Sequence, residues 1–165
     1  MSPSLQAEFE YLTTRIDAMV EKVRELPSDA QRAPVGPSYS PLKAVEHMAL
    51  TEKTYTDYAA KTDLAKLTNR KGRPNFIYRI VLKALARPMG KAAPTGGPFV
   101  PSGDMPLEES SAKWHEERAK LMAHLANFED DAACMKNPLM GYLSPRDLFV
   151  LMERHQDYHE ARIPN

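Results

Sequence analysis

The stretch from Leu5 to Leu26 reads LQAEFEYLTTRIDAMVEKVREL. Within it Leu5, Phe9, Leu12, Ile16, Met19, Val23 and Leu26 recur at alternating spacings of four and three. That spacing puts every one of them on the same face of an α-helix for roughly six turns, a stripe that must be buried against other elements. Ser4 is placed to cap its start, and Pro27 with Ser28 to end it.

Three more segments repeat the pattern. After a loop over residues 27 to 39, Ser40-Pro41 opens a second helix. Ser suits the capping position and Pro the first helical one, and Leu42, Val45, Met48, Ala49, Glu52 and Tyr55 follow before the pattern fades near Lys61. A third long helix starts near Pro106, with Asp104 close to the cap and Leu107, Trp114, Leu121, Leu125 and Phe128 on its stripe. Ser144-Pro145-Arg146-Asp147 opens a fourth, with an acid at the third helical position as in a capping box, and that helix runs to about Arg162. Four long amphipathic helices and no convincing strand pattern predict an all-α chain, a helical bundle forming a single domain over residues 1 to 165.

Composition agrees with a soluble globular protein: 42% of the 165 residues are apolar and 27% charged. No apolar run approaches the roughly 18–20 residues that a membrane span requires. The first residues lack the basic start and apolar core of a secretory leader, and a single cysteine, Cys134, forms no internal disulfide. Together these predict a cytoplasmic protein. Glu129, Asp130 and Asp131 precede Cys134 and disfavour its thiolate, so it is read as a bystander.

The net charge is zero but unevenly spread. Residues 64 to 103 hold Lys66, Arg70, Lys71, Arg73, Arg79, Lys83, Arg87 and Lys91 and no acid, which leaves 14 basic against 22 acidic residues elsewhere. Inside this long basic insert, between the second and third long helices, Asn75 to Ala86 predicts a short amphipathic helix. Arg79, Lys83 and Arg87 fall four apart on it, and Pro88 and Gly90 stop it. The run from Ala93 to Pro101 predicts a loop.

The fourth helix carries the chemistry. His155 and His159 occupy positions on its apolar stripe, one turn apart, so both imidazoles project from one face. Neutral imidazole offers a lone pair to zinc, nickel or iron, and two such rings buried without partners are costly. A third ligand is needed. His115 sits in the charged run His-Glu-Glu-Arg and His124 lies off its stripe. His47, at the edge of the apolar arc of the second helix, is the best placed. Neither Glu46 nor Asp157 faces the same way as its neighbouring histidine, so no general base is evident.

Three segments taken in order carry a resemblance. They are Ser40-Pro41-Leu42-Lys43-Ala44-Val45-Glu46-His47-Met48-Ala49, Pro138-Leu139-Met140-Gly141-Tyr142-Leu143-Ser144, and His155-Gln156-Asp157-Tyr158-His159. With the helix order and the long second-to-third connection, they make the chain resemble the DinB/YfiT-like family of metal-dependent enzymes over nearly its whole length. The resemblance implies an up-down-down-up four-helix bundle with a DinB-like metal site at one end, held by His47, His155 and His159, and a homodimer. The basic insert departs from the compact family pattern.

Three protein ligands leave a coordination position open, the arrangement of catalytic rather than structural sites. An open divalent ion, zinc or nickel, lowers the pKa of a bound water to about 7 or activates a thiol. The resemblance implies a thiol S-transferase or a hydrolase acting on a small molecule. A low-molecular-weight thiol bearing carboxylates suits Arg79, Lys83 and Arg87 as an anion site. The alternative is a metal-binding or interaction protein without turnover whose insert, residues 64 to 103, binds an anionic partner. That partner is an acidic protein, a membrane surface or nucleic acid, the last disfavoured by the neutral chain and the lack of interleaved aromatics.

Overall fold

The computed structural model describes residues 1–36, 38–67, 69–86 and 99–164. Among these the chain is mainly helical, with six α-helices and one small sheet. The long helices are α1 (Pro3–Glu25), α3 (Pro41–Lys61), α5 (Leu107–Leu125) and α6 (Pro145–Glu160). They pack with their stripes inward as the spacing predicts: Leu5, Phe9, Leu12, Ile16, Met19 and Val23 of α1 are all buried. One apolar cluster joins Phe9 and Leu12 to Leu121, Leu125, Leu148 and Leu151. A second joins Ile16, Met19, Val45, Met48 and Trp114 to Ile163.

The caps show where local sequence decides and where it does not. Ser40 caps α3, and Ser144 with Asp147 forms the capping box that starts α6. The cap of α1 is Ser2 and not Ser4. Its hydroxyl accepts from the Leu5 N–H at 3.3 Å while donating to Asp130 at 2.7 Å, so an acid 128 positions away fixes the start. α5 begins at Pro106 without a side-chain cap, and the expected role of Asp104 is not seen.

Two elements correct the all-α expectation and the loop over 27 to 39. A short helix, α2 (Ser28–Arg32), stands in that connection. Three strands, β1 (Arg73–Pro74), β2 (Met135–Asn137) and β3 (Gly141–Leu143), form an antiparallel sheet in the order β1-β3-β2, with Arg73 opposite Tyr142 and Met135 opposite Leu143. Strands of two or three residues are too short to show an alternating pattern. Gly141 makes the close approach possible: its φ is +91°, and a Cβ there would lie 3.0 Å from the Arg73 carbonyl oxygen.

The sheet ties the basic insert to the body. α4 (Phe76–Leu85) follows β1 directly, with Asn75 as its cap, close to the predicted bounds. Its inner face buries Tyr78, whose hydroxyl donates to the Asp147 carbonyl at 2.9 Å, and Leu85. Arg87 and the stop at Pro88 and Gly90 lie outside the described residues, as does the loop from Ala93 up to residue 98.

One polar network crosses the core. Glu52 of α3 accepts from the Trp114 indole at 2.6 Å and from Arg118 at 2.5 and 2.8 Å, and Arg118 also donates to Thr13 of α1. Glu52 and Arg118 are each 1% exposed. A carboxylate on an apolar stripe is tolerable because three donors satisfy it.

Candidate metal centre

α3 brings His47 and α6 brings His155 and His159 to one place. The His155 Nε2 lies 3.1 Å from the His47 Nε2 and 3.1 Å from the His159 Nε2. All three ligand atoms fall within 4.8 Å of one another, close enough to hold one metal ion. Two nitrogens about 2.1 Å from a shared ion stand about 3.0–3.4 Å apart for angles between square and tetrahedral, and 3.1 Å lies in that range. Among the described residues no Asp, Glu or Cys joins the cluster.

The protons can be followed. The His47 Nδ1 is 2.5 Å from the Phe99 carbonyl oxygen, which only accepts, so Nδ1 carries the hydrogen. The His47 Nε2 is left with its lone pair facing His155. Three Nε2 atoms turned toward each other satisfy one another poorly through hydrogen bonds, because His155 has one Nε2 for two neighbours. A cation between them satisfies all three. A carbonyl behind a ligating imidazole is the usual outer partner that fixes the ring and its tautomer.

A carboxylate pins the loop that supplies this carbonyl. Glu46 accepts from the Ser102 N–H at 2.9 Å, the Ser102 hydroxyl at 3.0 Å and the Gly103 N–H at 2.8 Å. Gly103 reaches this position with φ +85°, backbone that favours glycine. Tyr39 closes the other side, stacked on His159 with ring centres 6.2 Å apart and 5.1 Å from the His47 ring.

Burial keeps the rings neutral. Loss of solvent pushes all three imidazoles below their ordinary value. His155 falls to about 3, with repulsion from His47 adding to the effect. His159 is lowered further by its two partners and by Arg162. For His47 the Phe99 carbonyl opposes the shift. Neutral rings are the form that donates lone pairs. His159 is 5% exposed and His47 9%, and His155 is partly buried.

The other sequence candidates are dispersed. Arg79 and Lys83 stand on the exposed face of α4, and no hydrogen bond or ion pair joins them to the histidines; Arg87 lies outside the described residues. His115 pairs with Asp17 at the surface, and His124 meets the Cys134 carbonyl. Cys134 is buried, its thiol donating to the Leu143 carbonyl at 3.2 Å, and burial raises its pKa. Asp157 pairs with Arg15, away from the rings. Sequence reasoning missed Tyr39, Phe99 and the part played by Glu46. Only Glu46, next to a candidate ligand and buried, left a trace, since a buried acid must have donors.

Fold and site define a mainly helical protein with a three-histidine cluster spaced to hold a metal ion. Set against protein-family models, curated proteins and solved structures, the chain matches none.

Proposed function

We propose that this is a metal-dependent enzyme of the DinB-like kind, an up-down-down-up four-helix bundle that acts on a small molecule as a thiol S-transferase or a hydrolase. The observation that carries the reading is the convergence of three neutral Nε2 atoms, with His155 3.1 Å from each of its partners. A bound zinc or nickel ion supplies Lewis acidity to a thiol or a water at its open position. The chain's own part is to hold the rings, His47 through the Phe99 carbonyl and His159 through the stacked Tyr39, with His155 between them. Substrate enters on the side of His155, which is only partly buried.

Zinc-loaded and nickel-loaded protein, assayed with a panel of low-molecular-weight thiols and electrophilic acceptors and with activated esters and amides, tests this. Turnover that disappears in His155→Ala supports it. A fully loaded protein inert across the whole panel contradicts it.

A second reading, a metal-binding protein without turnover, is favoured by one observation: among the described residues no carboxylate stands at the cluster to act as a base. Full metal binding with that inert outcome selects it.

A further inference from the structure

We propose that the outer face of α4 docks on the surface of an anionic lipid bilayer. Phe76 and Ile80, one turn apart on that face, are 68% and 55% exposed. Leu139, 63% exposed, is joined to the start of the helix because the Asn75 side-chain amide donates to its carbonyl at 2.8 Å. Two large apolar side chains on the helix, and a third in the segment bonded to its cap, are therefore open to solvent.

Cations frame them. Arg79 and Lys83 lie on the same exposed arc, and Lys71 and Arg73 are exposed just before the helix. None of these four is ion-paired with a described residue, whereas Arg15, Arg24, Lys53, Lys120 and Arg146 each pair with an acid elsewhere. Residues 64 to 103 contain no Asp or Glu to neutralise them. The field is local: it falls off over about 8 Å at physiological salt, so a chain of zero net charge still presents a positive patch.

The helix is also held ready. Tyr78 and Leu85 anchor its inner face, and β1 pairs with β3 directly before it. Little ordering is left for docking to impose.

The pairing of chemistries selects the occupant. A nucleic-acid backbone or free phosphate answers the cations but offers nothing to Phe76, Ile80 and Leu139. The interfacial layer of an anionic bilayer answers both, with phosphates outside and acyl chains about 5–10 Å deeper. This inference does not depend on the metal.

Cosedimentation of the full chain with vesicles of equal parts phosphatidylcholine and phosphatidylserine tests it, beside phosphatidylcholine alone and a duplex DNA gel shift. The expected result is retention on the anionic vesicles only, weakened by salt. Each cation near such a surface multiplies partitioning about five-fold, so Arg79→Glu with Lys83→Glu weakens it by at least about 25-fold. Phe76→Ser with Ile80→Ser weakens it by at least about ten-fold. All four side chains are exposed, and unchanged circular dichroism verifies that the variants fold. Absence of retention overturns the proposal. So does retention that the serine variant leaves intact, which means charge alone, or that inorganic phosphate at matched ionic strength abolishes. DNA binding without vesicle binding overturns it as well.

Discussion

Glu46 and His47 hold the same loop at two points. The carboxylate takes the Ser102 and Gly103 N–H groups, and the imidazole Nδ1 donates to the Phe99 carbonyl. Neighbours that point apart on the helix thus fix one ligand together, the acid placing the carbonyl that orients the ring.

Glu46→Ala should release that loop. Outer partners of ligating histidines are worth about 10- to 100-fold in metal affinity. Zinc affinity is expected to fall by that amount with helix content unchanged, and a competition titration measures it. An unaltered affinity would show that the Phe99 contact does not orient His47.

The metal-free protein should lose stability in acid. His155 titrates near 3 when folded against 6.5 ordinarily. Between these values the unfolded chain binds a proton that the folded chain refuses, so unfolding is favoured as pH falls. The histidine contribution is intact above about pH 6.5 and is lost progressively toward pH 3. Denaturant melts across that range should show a smaller fall for His155→Gln than for the parent protein. Equal slopes would mean that the ring is not buried neutral.

Arg118→Ala leaves the Glu52 carboxylate buried with the Trp114 indole as its remaining side-chain donor among the described residues. Breaking such a pair costs about 3–5 kcal/mol. Urea unfolding should register that loss. A change under about 1 kcal/mol would mean that water reaches Glu52 and replaces the guanidinium.

Gly141→Ala places a side chain where φ is +91° and the Arg73 carbonyl oxygen is 3.0 Å away. A loss of about 1–3 kcal/mol is expected, with metal stoichiometry unchanged because the sheet includes none of the histidines. Thermal melts check the first part and elemental analysis the second.

What the sequence disclosed follows from how far each feature reaches. The stripe of α1, the capping box of Ser144 and Asp147, and the placement of His155 and His159 are written in spacings of three and four, so a single segment contains them. The cap at Ser2 depends on Asp130, and the burial of Glu52 depends on Arg118, both distant in the chain. The orienting partner of His47 is a backbone carbonyl, which no residue type announces. β1, β2 and β3 are shorter than the pattern that identifies a strand, and their pairing rests on Gly141.

The central claim is that three imidazoles share one ion, and a zinc titration of tag-free protein against a chromophoric chelator tests it most directly, with His47→Ala, His155→Ala and His159→Ala in parallel. A single tight site per chain, lost or greatly weakened in all three variants, is expected. No tight site in the parent, or a site that survives His155→Ala unchanged, would contradict it.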